Sequence, residues 1–162
     1  MSNTLGAVWL LQQEWGIQST PSEADRERFA KALMTCANGN GRLTGEERAW
    51  AIGLAAAVGT HEKVVESLHN YACTDAVADL LAPMGKHVPR LLIYDALRTC
   101  ASDGDLSQHE LSGIKATAHK LGIPEKDVDT LRGIVEEERA LRQRKIEAVF
   151  PQGTPYKTQA AG

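Results

Sequence analysis

Ala32-Leu33-Met34-Thr35-Cys36-Ala37 recurs as Ala96-Leu97-Arg98-Thr99-Cys100-Ala101, and the residues that follow keep in step. With one deletion the register continues: Gly41, Leu43, Glu47, Ala55, Gly59, Glu62 and Leu68 match Gly104, Leu106, Glu110, Ala118, Gly122, Glu125 and Leu131. A self-similarity of this period marks a duplicated structural unit, and finding it first decides the architecture. The punctuation around it is helical. In copy one Asn40-Gly41 turns the chain, Thr44 caps, Glu47 closes a capping box and Gly59 stops the helix. In copy two Asp103-Gly104, Ser107, Glu110 and Gly122 do the same.

Working outward, Thr20-Pro21-Ser22-Glu23 reads as an N-cap threonine followed by proline at the first helical position, so a helix should run from there to about Ala37. Phe29, Leu33 and Cys36 form its apolar face, and Ile93, Leu97 and Cys100 the matching face of the helix after Pro89. These two helices should pack together. Third helices begin near Glu62 and near Glu125, the latter with Pro124 at its first position. An N-terminal helix carries Val8, Leu11 and Trp15 on one side, and residues 74–82 form a short helix stopped by Pro83. No period-2 run calls for a strand. The expectation is an all-α fold of about seven to eight helices, a duplicated helical unit with a pseudo-twofold repeat. Residues 1–150 form one domain, with copies at about 26–82 and 90–150, and residues 151–162 form a flexible tail.

Composition narrows the function classes. With 43% hydrophobic residues, 162 residues can bury one core without a metal or disulfide staple. A net charge of -3 and a pI near 6.0 do not suit a surface that neutralises many phosphates, so nucleic acid is not the expected partner. Cys36, Cys73 and Cys100 are an odd number inside apolar helical patterns, which suits buried reduced thiols and a cytoplasmic chain. No stretch approaches membrane-spanning length. The five histidines form no HExxH and the cysteines no CxxC, which leaves no tetrahedral zinc pattern and no catalytic constellation.

Thr35-Cys36-Ala37-Asn38-Gly39-Asn40-Gly41-Arg42-Leu43-Thr44-Gly45-Glu46-Glu47 and Thr99-Cys100-Ala101-Ser102-Asp103-Gly104-Asp105-Leu106-Ser107-Gln108-His109-Glu110 together resemble the tellurite-resistance TerB family, over about residues 26–150. The resemblance implies a TerB-like helical domain with a role in membrane-associated stress complexes and does not imply an enzyme, so a non-enzymatic interaction or stress-response module is the expectation. It also implies acidic residues near the two turns that bind a divalent cation such as Ca2+ or Mg2+. Carried over residue by residue, these are Asp103, Asp105 and Glu110 in the second copy and Asn40, Glu46 and Glu47 in the first. The first copy departs from the pattern, since Asn40 offers only a carbonyl where Asp103 offers a carboxylate.

The same residues also have structural work to do. Glu47 and Glu110 are capping-box glutamates, and Asn40 and Asp103 are turn residues. Asp103 begins an EF-hand-like spacing that fails at Gln108, where glycine is required, and at Ile114, where a bidentate glutamate is required. Two further readings stand beside the cation-binding module. One is a small-molecule protein or enzyme with a cavity between the copies, where Lys31, His69, Tyr94 and Asp95 could converge. The other is a helical scaffold: the last helix carries Leu141, Ile146, Val149 and Phe150 beyond a charged stretch containing a Glu138–Arg142 pair, a surface for a protein partner or homodimer.

Overall fold

The computed structural model describes residues 2–156. The chain runs through α1 (Ser2–Trp15), α2 (Glu23–Ala37), α3 (Gly45–Ala57), α4 (Glu62–Leu68), α5 (Val77–Leu81), α6 (Val88–Cys100), α7 (Gln108–Lys120) and α8 (Glu125–Val149), with no strand among the described residues. The fold is all-α. Single turns of 3-10 helix follow α2 and α6 at equivalent places, Asn38–Asn40 and Ala101–Asp103, and a third takes Pro83 after α5.

Local chemistry sets most helix ends. Thr44 and Ser107 each accept the amide of the glutamate three residues on, and Glu47 and Glu110 each accept the cap amide, so both capping boxes form. The helices stop at Val58 and Leu121, with Gly59 and Gly122 at positive φ. The start of α2 differs from the sequence expectation. Its cap is Ser22, whose hydroxyl accepts the Asp25 amide at 3.2 Å, and Thr20-Pro21 lies outside the helix. The Glu23 carboxylate, which a Thr20 cap would have needed for its box, instead accepts the amide of His61 at 2.7 Å. A long-range partner outbid the local one. Pro124 likewise stands at the cap of α8 rather than at its first helical position.

One apolar cluster holds the helices together. Leu33 and Cys36 from α2 and Ile93, Leu97 and Cys100 from α6 are almost fully buried, and the two helices pack on each other as their matching faces require. Where the turn after α2 crosses α7, the backbones meet at Gly39 and Gly113. A Cβ added to Gly39 would lie 3.5 Å from the Gly113 Cα. Only small residues allow this approach, and it brings α7 against the turn that follows α2.

Outside the two copies, α1 buries Ala7 and Leu11 but leaves Trp15 partly exposed, its ring edge-on to Tyr94 at 5.2 Å. Helix α8 continues unbroken through its charged stretch. Glu138 does not pair with Arg142 but accepts the Tyr94 hydroxyl, because α6 passes beside it. Nor do Lys31 and Asp95 meet: Lys31 pairs with Glu27 at 2.7 Å and lies over the Tyr71 ring, and His69 is exposed. Of the tail, residues 157–162 lie outside the described residues, so the flexible tail expected there is described only as far as residue 156. Among the described residues no helix is long and apolar enough to cross a membrane.

Candidate functional site

The two capping boxes face each other across the copies. Each glutamate spends Oε2 on its own cap: Glu47 accepts the Thr44 amide at 2.8 Å and Glu110 the Ser107 amide at 2.7 Å. This leaves one oxygen on each. A carboxylate oxygen of Glu47, one of Glu110 and the Cys100 sulfur all lie within 4.8 Å of one another. Asp103 joins from the second turn, its Oδ2 accepting the Thr44 hydroxyl at 3.0 Å. The Thr44 hydroxyl therefore accepts the Glu47 amide and donates to Asp103.

Glu47 is fully buried, and its Oε1 has no hydrogen-bond partner among the described residues. Burial pushes its carboxyl up to about 7, opposed by the Thr44 amide and reinforced by the charges of Asp103 and Glu110. Burial holds the Cys100 thiol far above its ordinary value, with Glu47 and Glu110 adding to the effect. Cys36 is pushed up to about 12 by burial, opposed by Thr117, and all three cysteines are free. Both core thiols are protonated at neutral pH, and the Cys100 sulfur lies 3.9 Å from the Ala37 carbonyl.

Of the six acidic and amide positions singled out in the sequence, the fold gathers Glu47, Glu110 and Asp103. Asn40 turns its Oδ1 onto the Arg42 amide at 2.9 Å, an Asx turn that shapes the first loop. Asp105 is fully exposed and faces Arg139 at 3.5 Å, and Glu46 is exposed on the outer side of α3. Thr44 and Cys100 are the members that sequence reading did not single out. Thr44 was read only as a cap, and Cys100 as core packing or as one half of a pair with Cys36, and no short spacing links either to the opposite glutamate.

Chemically, the cluster concentrates negative charge around one orphaned buried oxygen. Such a group needs either a proton, which the raised Glu47 value supplies, or a cation. Glu47 and Glu110, each offering a carboxylate oxygen within 4.8 Å of the other, are the residues that could hold a cation here. A calcium ion would take six to eight oxygens, more than these side chains offer alone. The protonated thiol favours oxygen-seeking ions over softer ones.

No family model matches this chain, and no curated protein matches it. Among solved structures, the fold is similar to that of a tellurite resistance protein from Nostoc punctiforme PCC 73102, with a TM-score of 0.90. The two share 32% sequence identity over 96% of this chain and 98% of that one. The likeness is wider than the residues 26–150 that carry the resemblance in the sequence. An all-helical TerB-like fold is the class this defines. The chain belongs to the TerB-like tellurite-resistance family.

Proposed function

We propose that this protein is a non-enzymatic stress-response module of the tellurite-resistance type, tuned by a divalent cation held between Glu47 and Glu110 with Asp103 beside them. The observation that carries the reading is Glu47 Oε1, buried without a partner among carboxylates. In the cation-free protein a proton neutralises this position; a cation would displace it and tie the start of α3 to the start of α7. The face around both turns would then change charge and stiffness together, which is how a local ion alters what a surface can meet. Three free cysteines, two of them buried, suit a cytoplasmic setting.

The test is a titration of Ca2+, Mg2+ and Mn2+ into the protein at pH 7.5, following thermal melting. A ligand at ten times its Kd stabilises by about 1.4 kcal/mol, a readable shift. Glu47→Gln and Asp103→Asn should each reduce it. No shift at millimolar metal, or an equal shift in Glu47→Gln, overturns the reading.

A second reading, a scaffold that pairs through α8, is favoured by Leu141, Val149 and Phe150, all exposed beyond the part of the helix that packs on the core. Leu141→Glu with Val149→Glu should convert a dimer to a monomer in sedimentation without lowering the melting temperature. A wild-type monomer at high concentration ends that reading.

A further inference from the structure

Between α1 and the core lies a cleft of about 330 Å³, at the lower end of the range for small-molecule sites. Leu11 and Trp15 of α1, Phe29 of α2, Leu54 of α3 with Val58 at its end, and Leu91 of α6 make its walls mainly apolar. Asp95 also lines it, only 4% exposed. A carboxylate in such a wall is costly, and nothing in the repeat demands one: the equivalent position in the first copy is Lys31, paired with Glu27.

Asp95 is poorly satisfied. Its Oδ1 accepts Arg98 Nη1 at 3.4 Å, longer than a good charge-assisted bond, and its Oδ2 has no hydrogen-bond partner among the described residues. The Arg98 guanidinium also lies over the rings of Trp50 and Tyr94, 5.1 and 5.2 Å from their centres. The remaining charges of the cleft are largely spent. Asp25 pairs with Arg28 at 3.0 Å, and Arg26 gives its Nη atoms to Glu23 and to the Pro21 carbonyl. Glu14 of α1 has no ion-pair partner among the described residues, and its charge acts on Asp95. What is left over is the charge of Glu14 beside a weakly paired Asp95 on an apolar cleft.

We propose that the cleft binds a small apolar amine, its ammonium group on Asp95 Oδ2 within the field of Glu14 and its body among Phe29, Leu54, Val58 and Leu91. The ammonium would supply Asp95 with a closer donor than Arg98 and a second positive charge beside it. An alcohol would supply the donor alone, and an acid would meet like charge. This site is separate from the Glu47–Glu110 cluster and does not depend on it.

The test is calorimetric titration of the full chain with 2-phenylethylamine, and with 2-phenylethanol and 3-phenylpropanoate as neutral and anionic counterparts of the same body. A hydrogen bond to a charged group predicts about a tenfold preference or more for the amine. Asp95→Asn should reduce the amine to the level of the alcohol and melt no lower than wild type at pH 8. Val58→Trp, which fills the cleft, should weaken all three. No amine binding at millimolar concentration, or equal binding of alcohol or acid, overturns the proposal. The acid matters because Arg26 Nε also lacks a partner. An undiminished preference in Asp95→Asn, or undiminished binding in Val58→Trp, overturns it too. Should a variant fail to fold, the wild-type ranking of the three compounds decides.

Discussion

The hydroxyl of Thr44 donates to Asp103 Oδ2 at 3.0 Å, so the cap of a helix in one copy holds the turn of the other. Thr44 thus does two jobs where its counterpart Ser107 does one. Its hydroxyl satisfies an orphan amide of α3 and donates to a carboxylate of the other turn.

Thr44→Ala should therefore cost more than Ser107→Ala. Loss of a cap alone costs about 1 kcal/mol, the value expected at Ser107, and loss of the Asp103 bond should add about another 1 kcal/mol at Thr44. Urea unfolding of both variants checks this. Thr44→Ser should recover most of the difference, because it restores the hydroxyl. Equal costs at the two caps would mean that the cross-copy bond contributes nothing.

Glu47 makes stability fall with rising pH over a defined window. Its folded value, about 7, lies above the ordinary 4.5, so the folded state holds a proton that the unfolded state has released. Below about pH 4.5 both states are protonated and there is no cost. Between pH 4.5 and 7 the cost grows, and above 7 it is constant. Glu47→Gln keeps the shape and an acceptor for the Thr44 amide but cannot ionise. It should match wild type near pH 4 and become the more stable protein by pH 8. A gap between the two that stays constant from pH 4 to pH 8 would remove Glu47 as the titrating group.

Gly113 controls how closely α7 approaches the turn after α2. A Cβ there would stand 3.4 Å from the Gly39 carbonyl carbon, at the edge of ordinary contact. Gly113→Ala should be close to neutral, since the helix-propensity gain of about 1 kcal/mol offsets the tight fit. Gly113→Val should cost about 1–3 kcal/mol by forcing the backbones apart. If Glu110 moves away from Glu47 with them, the pH-dependent gap between wild type and Glu47→Gln should shrink in the Gly113→Val background.

Arg98 should behave as a stacked plane rather than as a simple charge. Its two ring contacts are each worth roughly 0.5–1 kcal/mol where partly exposed. Arg98→Lys keeps the charge but loses the planar fork, so a loss of about 1 kcal/mol is expected. Arg98→Ala also removes the cation beside Asp95, a carboxyl that burial has already pushed up to about 7. Its cost should be greater at pH 8, where Asp95 must ionise, than at pH 5, where it stays neutral. A cost that does not change with pH would mean that Arg98 does not support the Asp95 charge.

Sequence reading succeeded where the deciding interaction is local. The Thr44 and Ser107 boxes, the Gly59 and Gly122 stops and the apolar faces of α2 and α6 all depend on residues within one or two turns of each other, and each forms. It missed where a distant group competed. Ser22 caps α2 in place of Thr20 because Glu23 is drawn to the His61 amide, and Glu138 meets Tyr94 instead of Arg142. Neither competitor is visible in a window of neighbouring residues.

For the site the division runs through the glutamates themselves. The duplicated sequence by itself determined two capped helices and hence two glutamates with one oxygen committed and one free. Only the tertiary structure decided that the two glutamates converge with Cys100, that Thr44 reaches Asp103, and that Asp105, Glu46 and Asn40 stay apart. It decided equally that Asp95 faces an apolar cleft under α1 while Lys31 takes a surface partner. Capping is a contest among atoms a few residues apart. Which carboxylates lose their water, and so have to find a proton or a cation, depends on how the helices pack.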